Sequence, residues 1–442
     1  MIYIIQFLQI SPSHQLFWSS PARKYAIISL RGGVCMLVEL VVENFYSFRD
    51  EATFSLVATM IPEHPETVSD TEIFPVCKVS TIYGANASGK SNLLRAMALM
   101  KEGLFVEKGK EQQWLAKIQP FHLDERSEKE DTLLEISFLI DEDLYRYGFF
   151  VNHQKITEEY LYLEKEGDEI SEQEICFHRT IDGIEGTWEL SSDVQEDRLI
   201  LAELFKIQPH YLKDMYKWFS EMRIITNSQN PYLSISLAKL HLKKYKHNLL
   251  TLIQVADPSI HDIEVRETID ENSGKKRDDF FVIKMKKQLD GSNIPYREGF
   301  RFKDVESAGT VKLLALSGPI IEALEQGSLL MIDEMDQSFH TLMTRFVLEL
   351  FRGKFNPLGA QLVFSTHDIS NLDSELFRRD QVWFVEKKKA GNSELISLVE
   401  YRFDKKERKN SFEFYRNYLN GKYGAVPYLP PTDWWVDNGE EE

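Results

Sequence analysis

Gly84-Ala85-Asn86-Ala87-Ser88-Gly89-Lys90-Ser91 decides the reading of this 442-residue chain. Glycines at both ends of a short loop let backbone N–H groups converge on phosphate oxygens, and the N-terminus of a following helix adds a favourable dipole. In this reading Lys90 reaches the β- and γ-phosphates of ATP, Ser91 ligates Mg2+ through its hydroxyl, and Asn92 opens the helix. The pattern is informative only between a strand and a helix, and its flanks supply both. Phe74 to Tyr83 reads as a strand on Val76, Val79 and Ile82, and Asn92 to Lys101 has helical spacing at Leu93, Leu94, Met97 and Ala98.

Three further segments carry chemistry. Ser328 to Ile332 is an apolar strand that closes on Asp333-Glu334. At the carboxyl end of such a strand Asp333 can hold the Mg2+ shell, and Glu334 can orient or deprotonate an attacking water. After the strand Gln361 to Phe364 comes Ser365-Thr366-His367-Asp368, where His367 can contact the γ-phosphate or that water. Glu306-Ser307-Ala308-Gly309-Thr310 opens the helix Val311 to Leu324, so Ser307 and Gly309 form a second anion-binding surface at a helix start. Taken singly, an acidic strand exit, an exposed histidine and a helix cap are each common; their order behind a phosphate loop gives them meaning.

The remaining chain reads as α/β with additions. Leu37 to Glu43 is a strand followed by Asn44-Phe45, and Leu133 to Leu163 alternates as an antiparallel meander with turns at Asp141 to Asp143 and Asn152 to Gln154. Residues 191–262 read as a helical insertion without sustained heptads, Asp270 to Arg277 as a polar loop, and Phe280 to Met285 and Ile294 to Phe302 as strands. Helix Leu342 to Phe351, a hairpin of Gln381 to Glu386 with Leu395 to Glu400, and a last helix Phe412 to Leu419 complete the pattern. The expected division is an atypical extension (1–35), the first half of a nucleotide-binding head (36–190), the insertion (191–262), the second half (263–428) and an acidic tail (429–442).

Composition narrows the class. The chain is 43% hydrophobic, and no stretch reaches the roughly 18 apolar residues of a membrane span, so a cytoplasmic protein is expected. Three scattered cysteines, Cys35, Cys77 and Cys176, fit neither a disulfide framework nor a zinc site. The formal net charge of −18 argues against a non-specific nucleic-acid coat. A basic face on Lys239, Lys243, Lys244 and Lys246, or on Lys275-Lys276-Arg277, leaves contact with DNA open, although solvated surface explains both. The first 35 residues hold no Asp or Glu, and Arg31-Gly32-Gly33 before Met36 matches a read-through ribosome-binding site, so translation is expected to start at Met36.

Together the order Asn44-Phe45, a phosphate loop with Asn86 at its third position, Ser307-x-Gly309, Asp333-Glu334 and His367 resembles the ABC-type ATPase heads of the SMC, RecF and OLD class. The resemblance implies a P-loop NTPase fold of ABC-ATPase type: a mixed, largely parallel sheet core with an antiparallel meander and a helical insertion. It also implies a homodimer with ATP at the interface, in which Ser307 and Gly309 touch nucleotide held by the partner's Lys90, and Asp336 to His340 cross between subunits. Closer details, Tyr83 to Asn92, Pro120-Phe121-x-Leu123, Tyr145 to Gly148, Leu330 to Glu334 and Gly421 to Tyr428, look like the RloA/AbiLi-type abortive-infection ATPases, and the ATPase of the PARIS defence system looks similar. That resemblance implies a separately encoded effector, a TOPRIM or other nuclease-like protein.

This sequence departs from the pattern in three places. The signature lacks a second glycine and the acidic or amide residue after it, and Thr341 follows His340 where Pro is common. Gln119 could serve as the Mg2+-side glutamine of the lid loop or simply end a strand before Pro120. The leading expectation is an ATP-hydrolysing sensor or scaffold in phage defence; the alternative is a RecF- or SMC-like DNA-repair head that binds DNA directly. An internal TOPRIM nuclease conflicts with the roughly 75 residues after His367, which lack the needed acidic strands. A transporter subunit conflicts with the meander, the insertion and the shortened signature.

Overall fold

The computed structural model describes residues 35–426 apart from 72, 153, 166–171, 189–193, 208–209, 227–244, 270–273, 275, 297 and 403–412. The expectations for residues 1–34, the acidic tail, most of the polar loop and the run Lys239, Lys243 and Lys244 lie outside the described residues.

Strands are numbered in chain order. β1 (Cys35–Glu43), β2 (Ala52–Ser55), β3 (Val68–Ser69), β4 (Val76–Cys77) and β5 (Val79–Tyr83) precede the phosphate loop. After its helix, Lys90–Leu104, come β6 (Thr132–Ile140), β7 (Asp143–Val151), β8 (Ile156–Lys165), β9 (Glu172–Thr180) and β10 (Gly183–Glu185). The middle holds β11 (Arg223–Ile225), β12 (Ile260–Ile269), β13 (Lys276–Lys287), β14 (Asn293–Pro295) and β15 (Phe300–Arg301). The second half closes with β16 (Leu329–Ile332), β17 (Gln361–Thr366), β18 (Val382–Lys387) and β19 (Ser393–Ser397).

The central sheet runs β11-β16-β17-β5-β18-β19, parallel throughout except for the edge strand β19. Its strands read as continuous apolar runs because both faces are covered. Period-two alternation sorts the side chains: Ile82, Leu329, Met331, Val363, Trp383 and Val385 enter one core, and Val79, Leu330, Ile332, Leu362, Phe364 and Phe384 the other. The first core is shared with a seven-stranded antiparallel sheet, β10-β9-β8-β7-β6-β1-β2, and with Leu93, Leu94, Met97 and Met100 of the phosphate-loop helix. The second is closed by Leu313, Leu316 and Ile320 of helix Ala308–Gln326 and by Val347, Leu348 and Phe351 of helix Thr341–Arg352. A small sheet built on β12 and β13 packs on the opposite side of helix Ala308–Gln326 through Leu314 and Ile321. The fold is thus mixed α/β, with a largely parallel core and an antiparallel meander. Among the described residues no helix is long and apolar enough to cross a membrane.

Four local expectations are revised. The meander is longer than Leu133 to Leu163, because β1 and β2 extend it on one side and β9 and β10 on the other. The segment read as a helical insertion holds helices Ile200–Ile207 and Lys213–Glu221 and a helix over 245–256, but also β11, which joins the central sheet beside β16. Three residues are too few to show a strand period. Leu395 to Glu400 is not all strand: the Ser397 hydroxyl accepts from Val399 N and the Glu400 carboxylate from Ser397 N, turning the chain after Ser397. Ile294 to Phe302 is broken at Gly299, which has φ 63 and donates its N–H to Tyr296 O at 3.0 Å.

One side chain stitches the two large sheets together. β1 changes register between Leu37 and Glu39, so Leu37 needs partners outside the ladder. Gln361 of β17, 1% exposed, supplies them: its Oε1 accepts from Leu37 N at 2.6 Å, and its Nε2 donates to Leu37 O at 2.9 Å and Cys77 O at 3.2 Å. Gln361→Leu leaves these buried backbone groups unpaired and is expected to destabilise the protein by about 2–4 kcal/mol, read by denaturant unfolding. An unchanged unfolding midpoint would show that the bridge contributes nothing.

Candidate functional site

The carboxyl ends of β5, β16 and β17 open on one edge of the sheet, and the loops leaving them meet there. The phosphate loop leaves β5 directly. Ala87 has φ 58, a left-handed turn within the loop, and Gly89 has φ +114, a conformation that favours glycine. A Cβ on Gly89 would also strike the hydroxyls of Ser47 and Ser393, so the position requires glycine for space as well. Those serines brace the loop: Ser393 N donates to Ser47 O at 2.6 Å, and the Ser393 hydroxyl donates to Ser88 O at 2.5 Å. Asn92 donates to the Ser47 hydroxyl at 2.8 Å. The Ser88 hydroxyl is buried without a hydrogen-bond partner among the described residues.

Lys90 is 4% exposed, and its ammonium donates to Gly84 O at 2.8 Å and Ala85 O at 2.9 Å. Burial pushes its pKa down to about 8, opposed by the charges of Asp333, Glu334 and Asp336. Ser91 donates to Asp333 Oδ1 at 3.1 Å, so the two residues expected to hold a metal are adjacent. Both present oxygen, which suits the hard Mg2+ ion.

Ser365, on β17, organises the acidic pair. Its hydroxyl donates to Asp333 Oδ1 at 2.5 Å and accepts from Glu334 N at 2.8 Å. Glu334 has φ 48, strained for a side chain of its size, and its carboxylate lies 3.9 Å from His367 Nε2. Burial, followed by the charge of Lys90, holds the His367 imidazole below its ordinary pKa, so the ring is neutral at pH 7. His367 N donates to both Asp336 oxygens at 3.3 Å, and Thr341 Oγ1 donates to Asp368 Oδ2 at 2.9 Å. The loop after β16 and the turn after β17 are therefore knitted together.

These groups surround a cleft of about 560 Å³ lined by Asn86 to Asn92, Gln119, Glu334 and His367, with Tyr46, His122 and Lys387 at its rim. Gln119 faces the cleft, but its side chain is engaged: Nε2 donates to Ala116 O at 2.5 Å, and Oε1 lies 3.1 Å from His122 Nε2. Ser307 and Gly309 do not line the cleft. Ser307 is exposed and caps helix Ala308–Gln326 by accepting from Thr310 N at 3.2 Å. Gly309 is buried against the loop after β16, where a Cβ would fall 2.5 Å from Ser338 O.

Sequence reasoning placed Ser365 in a motif without a role and missed Lys312, which donates to Glu334 O at 2.7 Å. It also missed the rim residues Tyr46, His122 and Lys387. None of these has a spacing signature; Ser365 and Lys312 act through contacts more than 20 positions away in sequence. Ser365→Ala removes the donor to Asp333 and orphans Glu334 N; a loss of about 1–3 kcal/mol in unfolding free energy is expected, and an unaltered melting curve would contradict the bridging role.

Comparison with known proteins adds to this geometry. No curated protein sequence matches the chain. Among solved structures it is similar to the SmcHead bound to the C-winged helix domain of ScpA, at 14% identity over 85% of this chain and 99% of that one, with a TM-score of 0.42. It is also similar to the SMC head domain from Thermotoga maritima, at 13% identity over 82% and 98% of the two chains, with a TM-score of 0.39. The model of one protein family, described as AAA domain, putative AbiEii toxin, Type IV TA system, matches residues 79–373, from the phosphate-loop strand to just beyond His367. That match covers more than half of the chain and contains the whole edge of the sheet where the loops meet, so the chain belongs to this AAA-domain family.

Proposed function

We propose that the chain binds and hydrolyses ATP with Mg2+, and does so as a homodimer with nucleotide at the interface. The observation that carries this reading is the split arrangement. Lys90, Ser91, Glu334 and His367 converge around one cleft, whereas exposed Ser307 lies outside it. A second copy could therefore bring its Ser307 and Gly309 to nucleotide held here.

Each side chain has a role consistent with its place. The backbone N–H groups of residues 84 to 91 cradle phosphate oxygens, and Lys90 exchanges its loop carbonyls for the β- and γ-phosphates. Ser91 and Asp333 would hold Mg2+, which neutralises phosphate charge when bound. Glu334 accepts the proton of a water that attacks the γ-phosphorus, as the bond to the ADP oxygen breaks. Neutral His367 orients that water or donates to a γ-phosphate oxygen. Gln119 has room at the cleft to approach the ion only if it leaves Ala116.

Glu334→Gln should keep ATP affinity, lose at least about a hundredfold in turnover, and accumulate as an ATP-bound dimer in light scattering. Only monomer with saturating ATP would sink the dimer reading. Lys90→Ala should weaken ATP binding by about tenfold or more, and undiminished binding would remove Lys90 from the site.

In the cell we place this ATPase in abortive-infection defence beside a separately encoded effector of the TOPRIM or nuclease class. The family description and the resemblance to RloA/AbiLi-type and PARIS ATPases support that reading. Phage plating on cells carrying the chain with its neighbouring gene tests it: protection should vanish with Lys90→Ala. ATPase activity stimulated by DNA alone, without protection, would favour a DNA-repair head instead.

A further inference from the structure

Glu334 is held in a backbone conformation that it would not choose. With φ 48 it lies in the left-handed region, unfavourable for a residue with a Cβ. Its flanking peptides must therefore be pinned from outside. Ser365 pins the N-terminal side by accepting from Glu334 N at 2.8 Å, and Met335 N donates to Ser365 O at 3.0 Å. The Glu334 carbonyl accepts from Gln337 N in its own turn at 3.1 Å and is pinned from another element as well. Lys312, on helix Ala308–Gln326, donates to it at 2.7 Å.

Lys312 is an unusual choice for that task. It lies five positions after Ser307 on a helix whose first turn is fixed by the Ser307 cap and by the close packing of Gly309 on Ser338 O. Its ammonium is 5.4 Å from the Phe339 ring and faces the carboxylates of Asp336, Glu334 and Asp333. Burial outweighs those charges and lowers its pKa to about 8. A half-buried lysine satisfied by one carbonyl could be no more than a structural cap. Two features argue for more: the carbonyl belongs to the residue placed to activate water, and the lysine belongs to the helix that begins at the signature.

We propose that Lys312 is a positioning residue through which the signature helix sets the backbone of Glu334 and aims its carboxylate at the cleft. The inference rests on the ATPase reading of this site. Without Lys312 the Glu334 carbonyl keeps only the N–H of Gln337, at 3.1 Å, and its peptide the Met335 bond to Ser365 O, a weaker hold that lets the strained backbone shift and moves the carboxylate relative to His367. A displacement of the helix start, where a second copy's nucleotide would bind, would reach Glu334 along the same rigid helix.

The test compares Lys312→Met and Lys312→Arg with the wild type in full-length protein. Binding is measured with a fluorescent ATP analogue and turnover by phosphate release. Lys312→Met should bind nucleotide within about twofold of wild type, with KM little changed, while kcat falls at least about tenfold; Lys312→Arg, which keeps a donor, should recover a substantial part of kcat. A purely structural cap would instead lower stability and affinity together and leave the kcat of the folded fraction unchanged. Folded Lys312→Met with wild-type kcat would overturn the proposal, as would a Lys312→Arg variant as slow as a folded Lys312→Met. If Lys312→Met does not fold, Lys312→Leu carries the same comparison. Absence of hydrolysis in the wild type would instead refute the ATPase reading itself, a distinguishable outcome.

Discussion

The parallel pairing of β16, β17 and β5 sets the geometry on which the site depends. Ile332 pairs with Phe364 and Thr366 with Tyr83, so the three strands end almost level. Asp333, His367 and Gly84 then emerge side by side, although the sequence separates the first and last by well over half the chain. Parallel strands need both faces covered and long crossover connections. The two apolar cores meet the first need, and helices Ala308–Gln326 and Thr341–Arg352 form part of the second. β18 extends the same parallel edge, and its hairpin with β19 returns Ser393 to brace the phosphate loop against Ser47.

Charge at this edge is balanced rather than neutralised in pairs. Lys90 is buried among carbonyls of its own loop, at a distance from carboxylates that raise its pKa less than burial lowers it. A phosphate would supply the compensating charge that the protein withholds. His367 follows the same logic, since burial and Lys90 keep its ring neutral beside Glu334. The site is thus electropositive in its loop, acidic at its strand ends, and braced by the hydroxyl of Ser365 between them.

Much of this was legible in the sequence, and the reasons are physical. A glycine-bounded loop ending in Lys90-Ser91 has few alternatives between a strand and a helix, and a short apolar run such as Leu329 to Ile332 suits a strand buried on both faces, which it is. The elements that escaped notice are those without a period. β11 is too short to alternate, and β9 mixes charged and apolar residues on both faces. Gln361 and Lys312 are single polar residues in apolar segments, meaningful only through partners 324 and 22 positions away. Ser307 was readable as a helix cap, which it is. A partner's nucleotide can be tested only with two copies.

The account's central claim is that each site is assembled from two copies of the chain. It is tested most directly by mixing Lys90→Ala protein with Ser307→Arg protein and measuring ATP hydrolysis. Each variant alone should be inactive, whereas the mixture should regain about a quarter of wild-type activity, because half of the dimers are mixed and each mixed dimer has one intact site. A mixture no more active than its separate components would contradict the account.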